Sequence, residues 1–190
     1  MQRFSRVLTA LACSALLGAA PASAQGAEFS LGGGVSLPLS DFGDVAKTGW
    51  HGLAAVGFKP ADFPVGFQVD GSYQRFGSED IGGLDLDVST QLIMGTANAV
   101  YTFSTAEGSQ FRPYLIGGVG IYNAKAVGDD VPDGLDSETD FGLNAGAGFD
   151  FDLGNLALFI EGRFHNIFSD PDNTNFIPIS LGIRFGGGGS

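Results

Sequence analysis

The chain has 190 residues, a formal charge of −12, 31 glycines, 17 phenylalanines and a single cysteine, Cys13. One domain's worth of chain with so acidic a balance argues against nucleic acid, which requires a basic surface. Abundant glycine and phenylalanine, without persistent 3.6-residue periodicity, point to an all-β protein.

The first element is an address. Arg3 and Arg6 precede an apolar run from Val7 to Ala20, and Ala22-Ser23-Ala24 supplies a small-x-small cleavage pattern. Residues 1–24 therefore read as a cleaved secretory signal peptide; a retained membrane helix would need about 20 apolar residues. Cys13 lies inside this segment, so the mature chain is expected to have neither disulfides nor thiolate chemistry. Loss of Arg3 and Arg6 takes the formal charge from −12 to about −14.

Eight alternating segments follow, read with the two-residue period of a strand. The first, 28–37, sets Phe29, Leu31, Val35 and Leu37 against Ser30, Gly32, Gly34 and Ser36. In the second, 49–59, the apolar set is Trp50, Ala54, Val56 and Phe58. The third, 65–76, has Val65, Phe67, Val69 and Tyr73 opposite Gln68, Asp70, Ser72 and Gln74. The fourth, 87–103, has Ile93, Ala97, Ala99, Tyr101 and Phe103 opposite Met94, Thr96 and Asn98. The fifth, 111–123, sets Pro113, Leu115, Val119 and Ile121 against Arg112, Tyr114, Gly118 and Gly120. In the sixth, 140–152, Phe141, Leu143, Ala145, Ala147, Phe149 and Phe151 face away from Asn144, Gly146, Gly148 and Asp150. The seventh, 156–167, has Leu156, Leu158, Ile160 and Phe164 opposite Glu161, Arg163 and His165. The last, 176–185, sets Ile177, Ile179, Leu181, Ile183 and Phe185 against Pro178, Ser180, Gly182 and Arg184.

Two regularities select the architecture. No charge falls centrally on any apolar face, as lipid exposure demands, because an Arg or Lys at the bilayer midplane costs about 2–4 kcal/mol. The opposite faces combine glycine with ionisable residues, which suits a narrow lumen. The connections also alternate in length: 38–48, 77–85, 124–139 and 169–175 are long, whereas 60–64, 104–110 and 153–155 are shorter. Long outside and short inside is the outer-membrane pattern. The expected fold is an eight-stranded antiparallel up-and-down transmembrane β-barrel over residues 25–185. Residues 186–190 form a Gly-rich tail or an artificial linker.

Three stretches carry a family likeness: Arg112-Pro-Tyr-Leu-Ile-Gly-Gly-Val-Gly-Ile-Tyr122, Gly142-Leu-Asn-Ala-Gly-Ala-Gly148, and the ending Ile179-Ser-Leu-Gly-Ile-Arg-Phe185. In them the chain resembles the small OmpA-like and opacity-protein-like outer-membrane barrels of Gram-negative envelopes. The resemblance implies a bacterial outer-membrane location reached through the periplasm. It also implies Phe185 as an assembly signal for the barrel-assembly machinery, although here Gly186 to Ser190 follow it. Outer-membrane lipid and lipopolysaccharide are the other expected partners, with a monomeric barrel, no nucleic acid and no following peptidoglycan-binding module.

Chemistry is sparse. His165 shares a face with Glu161 and Arg163, but no nucleophile stands near it, and neither His51 nor His165 shows the His-x-Ser arrangement of barrel lipid A deacylases. No catalytic residue and no cofactor are expected. Asp70, Arg112, Glu161, Arg163 and Arg184 are expected to form an ion-pair network plugging the lumen, since eight strands enclose little more than side chains. Carboxylates crowd the outer connections, and Asp129, Asp130, Asp133 and Asp136 form a speculative Ca²⁺ loop, alongside Asp170 and Asp172, without the spacing of a known one. A solvated acidic rim is the plainer account. The functional expectation is an envelope structural or surface-interaction protein presenting acidic loops on a closed barrel. The alternatives are a small porin-like channel and, third, a barrel enzyme acting on lipid.

Overall fold

The computed structural model describes residues 26–60, 63–77, 88–128, 131, 136–170 and 172–186. The expected signal peptide with Cys13 lies outside them, as do residues 187–190 of the tail. So do Glu79, Asp80, Asp85, Asp129, Asp130 and Asp133, and with these three aspartates most of the speculative Ca²⁺ loop.

Eight strands follow in order: β1 (Ala27–Leu39), β2 (Gly49–Phe58), β3 (Val65–Gly77), β4 (Ser89–Thr102), β5 (Phe111–Val127), β6 (Glu138–Asp152), β7 (Leu156–Ile167) and β8 (Thr174–Gly186). Each pairs antiparallel with its sequence neighbours, and β1 also pairs with β8, so the sheet closes into an up-and-down barrel with no free edge. The closing seam runs from Glu28↔Gly186 to Leu39↔Asn175 and places Phe29 on Phe185, ring centroids 5.9 Å apart. The neighbouring β7–β8 ladder skips between Gly162↔Ile179 and His165↔Phe176. Pro178 lies in that gap and has no N–H to donate.

The strand faces agree with the alternating pattern; most boundaries shift by a residue or two, and the largest change is between β5 and β6. β5 continues past Asn123 to Val127, and β6 begins at Glu138 rather than Asp140. There the β5–β6 ladder runs on to Ala124↔Glu138, with Asn123 Nδ2 donating to Thr139 Oγ1 at 2.8 Å. Above Ile121 and Phe141 the outward side chains turn polar, Asn123, Lys125 and Thr139, so the apolar alternation stops although the ladder continues. The first long connection also holds a single helical turn, α1 (Asp41–Val45), where only a loop was expected. Its Phe42 packs edge-on against Phe76 of β3, centroids 5.1 Å apart, which draws the connection over the barrel mouth.

Burial is inverted relative to a water-soluble fold. Val69, Leu181 and Ile121 are 63%, 63% and 60% exposed, while Ser36, Gln74 and His165 are fully buried. A continuous apolar wall around a polar interior is stable against lipid rather than water. Aromatic residues belt the two ends of that wall. Phe63 and Phe67, Tyr101 and Phe103, and Phe111 and Phe149 pair near the short turns; Trp50 with Tyr73, and Phe141 with Phe168, pair near the long ones. Rings of this kind settle at membrane–water interfaces.

Candidate functional site

The polar interior is the only concentration of chemistry among the described residues, and it is built in layers. Nearest the short turns, Arg184 of β8 reaches across the bore to Asp150 of β6, with Nη1 2.9 Å from each carboxylate oxygen. Its Nε donates to Ser30 Oγ at 3.2 Å and lies 3.3 Å from Glu28 Oε1. The guanidinium carbon lies 5.2 Å from the ring centroids of both Tyr114 and Phe159, so the cation is also held over two aromatic faces. Arg112 stands apart from the buried network: its Nη2 is 3.7 Å from Asp152 Oδ2, and both side chains are nearly two-fifths exposed.

The middle layer is the most heavily bonded. Arg163 of β7 donates from Nη1 to Asp70 Oδ2 at 3.0 Å, and to Glu161 Oε1 from Nε at 3.0 Å and Nη2 at 2.6 Å. Asp70 also accepts from Thr96 Oγ1 at 2.7 Å, Asn98 Nδ2 at 2.8 Å and Gln68 Nε2 at 3.1 Å. Glu161 accepts from the Tyr114 hydroxyl at 2.9 Å. Tyr114 therefore joins two layers, its ring facing Arg184 and its hydroxyl on Glu161. Charges so buried need full sets of partners, since desolvation otherwise outweighs their attraction.

Above it, His51 bridges two serines. Ser36 Oγ donates to Gln74 Oε1 at 2.8 Å and so receives the His51 Nδ1–H at 3.0 Å; in the neutral ring Nε2 then accepts from Ser180 Oγ at 2.8 Å. This assigns the tautomer from the hydrogen-bond network. His51→Leu is expected to lower stability by about 1–3 kcal/mol, because it strips partners from two buried hydroxyls. A reduced urea midpoint for the refolded barrel would register the loss. Among the described residues His165 has no carboxylate partner, since Arg163 and Tyr114 occupy Glu161. Its Nδ1 meets the Tyr122 hydroxyl at 2.9 Å, and its ring stacks on Phe176 at 4.9 Å. The mouth is closed by Phe76, Phe176, Leu92 and Ile167, with Phe42 packed on them, leaving a cavity of ≈70 Å³.

Sequence reasoning passed over Asp150, Tyr114, the His51 bridge and this aromatic cap. One signal was available in the glycines. Tyr114 stands opposite Gly148, and Phe159 opposite Gly182, which itself faces Gly32. The inward glycines are floors on which aromatic rings lie, filling space that their own side chains would otherwise take. Among the described residues no group of three or more His, Cys, Asp or Glu side chains is placed to hold a metal ion. Asp136, the described member of the speculative Ca²⁺ loop, is exposed.

A family model described as "Outer membrane protein beta-barrel domain" matches residues 9–185. Among solved structures, Neisserial surface protein A is 20% identical with a TM-score of 0.65, covering 85% of this chain and 97% of that one. OprG of Pseudomonas aeruginosa is 14% identical with a TM-score of 0.57, covering 85% and 96%. Ail, the attachment invasion locus protein of Yersinia pestis, is 18% identical with a TM-score of 0.53, covering 85% and 99%. At these identities the likeness speaks for the fold. A search of curated proteins finds no match.

Proposed function

The chain belongs to the outer membrane protein β-barrel domain family and resides in the bacterial outer membrane, and from this premise we propose that it is a closed, non-conducting frame presenting an acidic surface. One observation carries the reading: buried side chains bonded across the bore recur at several levels of it. Arg184 with Asp150, Arg163 with Asp70 and Glu161, and the aromatic cap at the mouth stand at successive levels across the bore, which supports a lumen too crowded to conduct. A lumen built this way holds the wall rigid, and the long connections project from it. Asp41, Asp44, Asp136, Glu138, Asp170 and Asp172 are exposed there. Such a rim favours cationic partners and repels acidic ones. The hydroxyls that adjoin the histidines, Ser36 and Ser180 on His51 and Tyr122 on His165, are all buried inside the bore away from any substrate, so the reading is non-enzymatic. Assembly by the barrel-assembly machinery, with Phe185 at the end of the closing strand as its signal, belongs to the same proposal.

The test is single-channel conductance of the mature barrel in a planar bilayer, with heat-modifiable gel mobility verifying that it has folded. The expected record is silent. Steady steps altered by Glu161→Gln or Arg163→Gln would instead make the protein a small channel. Replacing 128–137, the connection between β5 and β6, by a short Gly-Ser linker should leave the barrel folded and abolish its surface interactions.

A further inference from the structure

We propose that one sector of the outer wall binds the phosphorylated headgroup of an outer-leaflet lipid, through Arg75 and Lys125 with Gln91 between them. The register brings these residues into one row across adjacent strands: Trp50 of β2 faces Arg75 of β3, Arg75 faces Gln91 of β4, and Gln91 faces Lys125 of β5. Their neighbours along each strand point into the bore, Gln74 and Phe76 flanking Arg75, and Leu92 and Ala124 beside Gln91 and Lys125. The row itself therefore faces outward. Arg75 and Lys125 are exposed and Gln91 is half-buried.

Height and charge identify the occupant. Just below the row the wall is apolar, with Ile93 48% and Ile121 60% exposed. Trp50 stands in the row, beside Arg75, and Tyr73 just below it beside Ile93, rings 5.5 Å apart, with the Tyr73 hydroxyl reaching up to Gln91 Oε1 at 3.5 Å. This is where acyl chains give way to headgroups. Neighbouring strands lie about 4.8 Å apart, so the Arg75 and Lys125 backbones are separated by roughly 10 Å. Two long side chains spanning that gap converge on one anion above Gln91. Arginine offers a planar fork suited to phosphate, and lysine a mobile point charge.

The cations of the rim, though not its carboxylates, are gathered in one sector. Lys59 and Arg112 stand at the short-turn end, and Arg163 and Arg184 point into the bore. The remaining cations of residues 25–190, Lys47, Arg75 and Lys125, all fall in the β2–β5 sector at the long-connection end. The β7–β8 connection on the far side carries Asp170 and Asp172. Among the described residues no carboxylate forms an ion pair with Arg75 or Lys125. An otherwise acidic protein thus holds a basic notch at headgroup level on a lipid-facing wall, the setting in which anionic headgroups bind. The inference rests on the membrane placement and is independent of whether the bore conducts.

The test uses the mature full-length barrel refolded in detergent micelles, with lipid A as probe and retained lipid counted by native mass spectrometry. The native barrel should retain lipid A, and the double variant Arg75→Gln/Lys125→Gln should retain about tenfold less or worse. The variant's unchanged heat-modifiable mobility should show that these exposed side chains are not needed for folding. Lys59→Gln, at the other end, should retain lipid as the native barrel does. Dephosphorylated lipid A should be lost from the native barrel, and inorganic phosphate should not displace the intact lipid. Equal retention by the double variant, or equal loss in Lys59→Gln, would overturn the proposal. So would retention that appears only after Glu79, Asp80, Asp85 and Asp87 are neutralised, since those carboxylates would then be the cations' partners. Displacement of lipid A by inorganic phosphate would reduce the notch to a plain anion site. Conductance of the same double variant reports on the closed-frame reading separately.

Discussion

Arg163→Met should lower the unfolding free energy of the refolded barrel by about 3–5 kcal/mol, the usual cost of leaving a buried charge without its partner. Asp70 and Glu161, each with a side chain about 5% exposed, would face one another without the guanidinium that now separates them. Thr96, Asn98 and Gln68 still serve Asp70, so the network would be weakened rather than erased. Removing all three charges together, as Asp70→Asn/Glu161→Gln/Arg163→Met, should recover most of the loss, since no uncompensated charge then remains. Urea titration followed by the fluorescence of Trp50, the sole tryptophan, reads both variants. A single variant as stable as the native barrel would mean that the carboxylates are not held by Arg163 at all. A triple variant no better than the single would assign the loss to packing instead of charge.

Gly182→Val should cost about 1–3 kcal/mol or more, the range for overpacking a filled interior. A Cβ on Gly182 would run into the Leu31 carbonyl oxygen of β1, the Gly32 Cα and the ring of Phe159, which is 3% exposed. Only the ring can move. Combining Gly182→Val with Phe159→Ala should therefore rescue part of the loss, with a coupling of about 0.5–3 kcal/mol expected for residues in contact. The backbone part of the clash remains and strains the β1–β8 seam that closes the barrel. Gly162→Ala is the control: its Cβ would meet nothing within 4 Å, and the change should stay within about 0.5 kcal/mol. Full tolerance of Gly182→Val would show that Phe159 does not depend on a glycine floor.

The two variants separate what was legible in the chain from what was not. Strand number, antiparallel order and the inward or outward sense of each residue follow from a two-residue period, because lipid on one face and a narrow lumen on the other constrain every second side chain. Glu161 and Arg163 could be read as neighbours for the same reason, since they lie two apart on one strand. The extended β5–β6 ladder and α1 escaped that reading because the outward side chains of the first, Asn123, Lys125 and Thr139, are polar, and a single ring, Phe42, decides the second.

The sequence by itself thus determined that this is an alternating, closed sheet with charges inside and an acidic rim. Only the tertiary structure decided which charges meet. Arg163 reaches Asp70 at a separation of 93 residues, and Arg184 reaches Asp150 on a strand that is not its neighbour. Contacts across the bore depend on how closure rotates each strand about the barrel axis and on how glycine floors admit Tyr114 and Phe159 between the charges. Period-two patterning shows that a side chain points inward, but the partner waiting there is set by barrel geometry, which no local stretch of sequence encodes.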